Sequence, residues 1–160
     1  MLKKTSDISV LKYVLDHIRT EDKQELIALY SDDWYEKVFE NFSEREFLVL
    51  YGLDKAKNQV PIAIGGVDSI FDKSQRIACV WLLSTFWVMQ NKTLFFKTLK
   101  TQALLVESEF DILFNFVYES NQSAKKWIKK LGFSFDNPNP AEFSMEEGFE
   151  FFYKLTERSY

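Results

Sequence analysis

The sequence predicts an α/β (α+β) fold with a mixed central sheet, in which an N-terminal antiparallel meander is followed by a parallel crossover pair. Three observations carry this. Residues Asp111 to Phe135 read as a buried strand, a capped helix, a glycine stop and a further apolar segment. After Ser43 the apolar period changes from helical to that of strands. A long helical pattern then lies between two apolar strands, Arg76–Leu83 and Asp111–Tyr118, which requires a right-handed parallel crossover.

Taken in order, Met1–Thr5 has room for an edge strand, and Ser6 and Asp7 mark a helix start. Leu11, Val14, Leu15 and Ile18 predict a helix from Asp7 to Arg19. Thr20 is read as the cap of a second helix with Leu26, Leu29 and Tyr30 inside and Glu21, Asp22, Lys23 and Glu25 outside. Tyr35, Val38, Phe39 and Phe42 predict a third. Phe47–Tyr51 and Val60–Val67 form a hairpin across the polar turn Asp54–Gln59. Gly65-Gly66 marks either a bulge or a close approach to the backbone. A turn at Asp72–Gln75 leads into Arg76–Leu83.

Phe95, Leu99, Ala103 and Val106 predict a helix with Asn91 as its cap. Ile112, Leu113, Phe114, Phe116 and Val117 form the continuous apolar run of a strand buried on both faces. Ser120 or Asn121 caps the next helix, whose face Ala124, Trp127, Ile128 and Leu131 opposes Lys125, Lys126, Lys129 and Lys130. Gly132 supplies the left-handed stop and Phe133 opens a further strand. Asp136–Pro140 is a turn and Phe149–Leu155 a closing strand.

At 160 residues the expectation is a single domain over 1–160. Sixteen phenylalanines, seven tyrosines and four tryptophans exceed what loops hold, so most belong to a core and a remainder is free for a partner surface. The net charge of -4 argues against nucleic acid as a partner. Cys79 is the single cysteine, so neither an internal disulfide nor a cysteine zinc site is expected, and no metal is assigned. A reducing, cytoplasmic setting fits. Met1–Thr5 leads into charges and not a signal-peptide core, and no apolar run reaches membrane-spanning length.

Asn121, Ala124, Gly132 and Phe133 form an N-x-x-A, then G-F, pattern that resembles the fifth strand and fourth helix of the GCN5-related N-acetyltransferase (GNAT) superfamily. The predicted element order resembles that superfamily over most of the chain. The resemblance implies helices on both sheet faces and transfer of an acetyl or other acyl group from acyl-CoA to an amine. It places Asn121 and Ala124 beside the pantetheine arm and the thioester against the backbone of Leu82, Leu83 and Ser84. Val80–Thr85 (VWLLST), Gly65–Val67 and the N-terminal layout resemble, within the superfamily, a divergent group carried by bacteriophages and prophages. That resemblance implies an alternative: an inactive GNAT-fold binding or virion-associated protein.

Two departures bear on chemistry. The superfamily holds the CoA pyrophosphate on a glycine-bearing loop after the fourth strand, where missing side chains let backbone N–H groups approach phosphate. Here Thr85–Thr93 (TFWVMQNKT) has no glycine, so Asn91, Lys92 and Thr93 at a helix start read either as the anion-binding residues or as an ordinary capped helix start. The tyrosine that many members place seven residues after the asparagine, to protonate the departing thiolate, is Ile128. Tyr118 is the alternative donor or a buried structural tyrosine. Glu119 and Asp68 are the candidate general bases, each also readable as a solvated loop carboxylate. His17 and Cys79 read as structural, and the lysine stripe as a solvated or phosphate-facing surface. The aromatic stretch Phe86–Phe96 reads either as closed core or as a docking surface for a protein partner.

Overall fold

A computed structural model of the chain describes residues 1–71, 75–136 and 146–157. Six strands form one sheet in sequence order: β1 (Leu2–Thr5), β2 (Phe47–Leu53), β3 (Gln59–Phe71), β4 (Arg76–Ser84), β5 (Ile112–Tyr118) and β6 (Phe149–Leu155). The β1–β2, β2–β3 and β5–β6 pairs are antiparallel and β4–β5 is parallel, as the meander and the crossover helix require. The helices are α1 (Ile8–Asp16), α2 (Thr20–Tyr30), α3 (Trp34–Phe42), α4 (Lys92–Glu107) and α5 (Gln122–Lys130). The chain divides into two compact units, Met1–Gly66 with Leu82–Phe96, and Val67–Trp81 with Lys97–Tyr160.

In the first unit α1 begins where the Asp7 carboxylate accepts the Ser9 N–H at 2.8 Å. Val10, Leu11, Val14 and Leu15, three and four apart, are its buried face. Helix α2 differs from its predicted pattern. Asp22 and Leu26 are buried and Leu29 is exposed, because hydrogen bonds draw the Asp22 carboxylate inward. The predicted bulge at Gly65-Gly66 is also displaced: Gly65 pairs regularly with Leu48, and the register shifts where Leu50 faces Ala63 and Tyr51 faces Pro61. Ile62, fully buried, is the extra residue.

In the second unit the core gathers Ala78, Phe110, Leu113, Val117, Phe133 and Phe152, with Ala124 and Ile128 of α5 and Leu131 at its C-terminal cap packed against it. Asn121 is the α5 cap, its side-chain oxygen accepting the Ala124 N–H at 3.2 Å. Gly132 ends that helix at φ +88°. The strand predicted from Phe133 is a single bridge, Ser134 to Tyr153. The β4–β5 ladder covers three pairs, Ile77–Ile112, Ala78–Leu113 and Cys79–Phe114. At its start the Arg76 N–H donates to the Asp111 carboxylate at 2.9 Å. Of the turns predicted at Asp72–Gln75 and Asp136–Pro140, all but Gln75 and Asp136 lie outside the described residues.

Candidate functional site

At the end of β4, Ser84 is 1% exposed and its polar groups are occupied. Its N–H donates to Asp22 Oδ2 at 2.9 Å and its hydroxyl to the same oxygen at 2.6 Å. Its carbonyl accepts the Arg19 N–H at 2.9 Å, and the Arg19 guanidinium closes the ring on Asp22 Oδ1 at 2.6 Å. The next donors are held too: the Thr85 N–H by the Ile62 carbonyl and the Phe86 N–H by the His17 carbonyl. Of the stretch Leu82–Ser84, Leu82 carries an exposed side chain and Leu83 a buried one. His17 has a structural setting: Nδ1–H donates to the Tyr13 carbonyl at 2.8 Å, and the ring stacks on Tyr13 at 4.0 Å.

The glycine-free segment after β4 folds as a 3-10 turn, Phe86–Gln90, leading directly to α4. Val88 is fully buried and Trp87 Nε1–H donates to the Tyr13 hydroxyl, so the turn is anchored on both sides. Asn91 was expected to cap α4 with its side chain, and the side chain instead clasps β2. Its Nδ2 donates to the carbonyls of Leu53 and Trp87, each at 2.9 Å, and its Oδ1 accepts the Leu53 N–H at 3.1 Å. Its carbonyl accepts the Phe95 N–H, the first link of the helix. The clasp demands glycine opposite: a Cβ on Gly52 would lie 2.6 Å from Asn91 Oδ1. Lys92 and Thr93 are exposed on the first turn of α4, whose N–H groups have no partner within a helix. Within the aromatic stretch Phe95 is core, while Phe86, Met89 and Leu94 are exposed.

In the second unit, the Tyr118 ring packs at a tilt of 48° against Phe149, with centroids 5.1 Å apart. Gly148, at φ +83°, leaves room for that ring, since a Cβ there would meet Tyr118 Cε2 at 2.8 Å. Glu119 is exposed, and its N–H donates to the Gly148 carbonyl. Asn121 is 1% exposed, with its N–H on the Tyr118 carbonyl. Tyr118, Glu119, Asn121 and Ala124 thus share one strand-to-helix turn. Ile128 packs on the core. The lysine stripe is partly tied down: Lys125 pairs with Glu150 at 2.6 Å, and Lys125 and Lys129 lie over the Phe135 ring. Cys79 stands in the β4–β5 ladder opposite Phe114. Asp68 lies on β3, half-buried, and not in a loop.

Sequence reasoning passed over three residues of these arrangements: Asp22, which was placed on a solvent face, Arg19, and Asn115. Asn115 Nδ2 donates to the Val80 carbonyl at 2.6 Å, and Asn115 Oδ1 accepts the Phe116 N–H at 2.7 Å. Its signal in the sequence is a lone amide within an otherwise apolar strand. Among the described residues no group of three His, Cys, Asp or Glu side chains is placed to hold a metal, and no helix is long and apolar enough to cross a membrane.

No family model matches the sequence, and a search of curated proteins finds no match. Solved structures do match over almost the whole chain. A Streptococcus mutans UA159 protein aligns over 97% of this chain and 98% of its own, with 18% identity and a TM-score of 0.63. A GNAT-family acetyltransferase from Streptococcus pneumoniae aligns over 98% and 99%, with 14% identity and a TM-score of 0.59. The fold is that of the GNAT acetyltransferases. A further match is the spermidine N-acetyltransferase of Vibrio cholerae in complex with CoA and spermine, similar over 99% of this chain and 97% of its own at 13% identity and a TM-score of 0.61. At these identities the likeness establishes architecture, and the GNAT fold of this chain carries its own side chains at the end of β4 and in the turn after it.

Proposed function

We propose that this chain is an acyl-CoA-dependent N-acyltransferase of the GNAT type. The observation that carries the reading is the parallel pair of the GNAT fold: the β4–β5 ladder ends after three pairs while β4 continues for five residues to Ser84. In this reading the backbone of Leu82 and Leu83 holds the thioester. Ser84 holds the strand end in place, since its N–H and hydroxyl are taken by Asp22. Lys92 and Thr93 at the start of α4 take the phosphates, by helix-end N–H groups and charge and not through a glycine cradle. Asn91 acts indirectly, by fixing where that helix begins. Asn121 meets the pantetheine arm while its oxygen caps the helix at Ala124.

The amine nitrogen attacks the thioester carbonyl and gives a tetrahedral oxyanion that backbone N–H groups stabilise. Glu119 accepts the amine proton, the C–S bond breaks, and the Tyr118 hydroxyl protonates the departing thiolate. A cytoplasmic setting, where acyl-CoA is present, belongs to this reading.

A second reading is favoured by Ser84, by the glycine-free turn and by Ile128: a GNAT-fold binding or virion-associated protein of phage or prophage origin without transferase activity. Its docking surface would be the exposed Phe86, Met89 and Leu94.

Thermal unfolding with and without acetyl-CoA separates the two. A ligand at a hundred times its Kd adds about 2.7 kcal/mol, which raises the midpoint by roughly 5–10 °C in a chain of this length. A shift followed by turnover with an amine panel supports the transferase. No shift at millimolar acetyl-CoA refutes it and favours the binding protein.

A further inference from the structure

We infer that Asn115 sets the point at which β4 and β5 part, and that it is therefore a positioning residue for the acyl-CoA arm. The second half of this inference rests on the acyltransferase reading.

The direction of each main-chain bond in β5 fixes what Asn115 does. The Asp111 N–H, just ahead of the strand, donates to the Arg76 carbonyl at 2.8 Å, but the Asp111 carbonyl accepts the Thr156 N–H and the Glu119 N–H donates to the Gly148 carbonyl, so between these points the odd-numbered residues of β5 turn their main-chain groups toward the β6 side. Successive residues of a strand alternate, so even-numbered residues turn theirs toward β4. Carried one rung past Cys79–Phe114, the ladder would join the Phe116 N–H to the Val80 carbonyl. Neither group makes that bond. The Phe116 N–H goes to Asn115 Oδ1 at 2.7 Å, and the Val80 carbonyl receives Asn115 Nδ2 at 2.6 Å.

The side-chain amide is thus spliced into the rung. It offers a donor to the carbonyl and an acceptor to the N–H, as a peptide group would, and both partners stay satisfied. Only one orientation of the amide fits, because the reversed one would set oxygen against oxygen and NH2 against N–H. The rung becomes longer by an amide group and a second hydrogen bond, so the strands separate at Val80 without leaving a buried polar group unpaired. Asparagine suits the task as the shortest side chain with both functions. A β-branched residue, otherwise favoured in a strand, would let the direct rung form.

The proposal yields opposite signs for stability and binding, which a merely structural asparagine does not. Through-hydrogen-bond N–C coupling in isotope-labelled wild-type protein reads the splice directly. The Phe116 nitrogen is expected to couple to the Asn115 side-chain carbonyl carbon, and coupling to the Val80 carbonyl carbon overturns the proposal. In Asn115→Val the coupling is expected to move to Val80, with a thermal midpoint equal to or above wild type and acetyl-CoA affinity at least tenfold weaker. Asn115→Gln keeps both bonding groups and is expected to hold affinity within a few fold. A destabilised Asn115→Val that binds acetyl-CoA as wild type does overturns the positioning role. Wild-type protein that shows the Asn115 coupling but binds no acetyl-CoA overturns that role together with the acyltransferase reading, with the splice itself established.

Discussion

Replacing Gly52 with alanine tests whether the turn after β4 is held by the clasp of Asn91 on β2. The new Cβ would lie 2.6 Å from Asn91 Oδ1, 2.7 Å from Asn91 Cγ and 2.9 Å from Ile62 Cγ2, all inside the separation that carbon contacts tolerate. Ile62 is fully buried and cannot give way, so Asn91 must. Asn91 makes three side-chain hydrogen bonds, to the Leu53 N–H and to the carbonyls of Leu53 and Trp87. At about 1 kcal/mol each their loss sets a ceiling near ~3 kcal/mol, and overpacking alone costs about 1–3 kcal/mol. Reduced freedom of the unfolded chain returns roughly 0.4–1 kcal/mol. The expected net loss is about 2 kcal/mol, or roughly 4–8 °C in the thermal midpoint. Asn91→Ala removes the obstacle along with the bonds. The double variant is therefore expected to be more stable than the sum of the single losses by about 1–2 kcal/mol, within the range that contacting residues show. Denaturant unfolding of all four proteins measures this. Additivity within about 0.5 kcal/mol refutes the clasp.

Asp22→Ala strips the Ser84 N–H and hydroxyl and the Arg19 guanidinium of their shared acceptor in a buried setting, and a loss of about 3–5 kcal/mol is expected in urea unfolding. Asn121→Ala removes the α5 cap and is expected to lower stability by about 1 kcal/mol; a weakened acetyl-CoA affinity beyond that, measured by calorimetry, supports contact with ligand. The Tyr35 hydroxyl is pushed up to about 12, first by burial and then by its hydrogen bond to Asp16 and the negative charges of Asp16 and Glu36. A raised value favours the protonated phenol in the fold, so its contribution is complete below the unfolded tyrosine value near ~10 and is lost as pH rises toward 12. Alkaline unfolding followed across that window is expected to flatten in Tyr35→Phe.

The sequence made legible what is encoded locally. Asn121 caps α5 and Gly132 ends it because both act on residues within a turn of themselves, and the apolar run of β5 reads without reference to any partner. The parallel crossover followed from one helix between two strands. What escaped was set by distant partners. Asp22 looks like a solvent-face acid until Ser84, 62 residues away, turns it inward. The bulge sits at Ile62 and not at the visible glycine pair, because register belongs to two strands and not to one. Asn91 fits the cap pattern, but its partner is Leu53, 38 residues back. Within the candidate site, Tyr118, Glu119, Asn121 and Ala124 were found because they sit on one contiguous turn. The state of Ser84 had no local signature, and the lone amide of Asn115 in an apolar strand marked a position without naming its partner, Val80, 35 residues back.

The three-rung ladder of β4 and β5 is bracketed by side chains. Asp111 takes the Arg76 N–H at one end, Asn115 takes the Val80 carbonyl at the other, and both bonds span 35 residues. A parallel pair with so few rungs has little of its own to distinguish correct alignment from a slip. A slip of one residue would leave both side chains facing the wrong main-chain groups at once, so neither end holds unless the other does. Alignment of these strands is therefore specified at two points, one on either side of the three pairs, by side chains and not by the ladder alone.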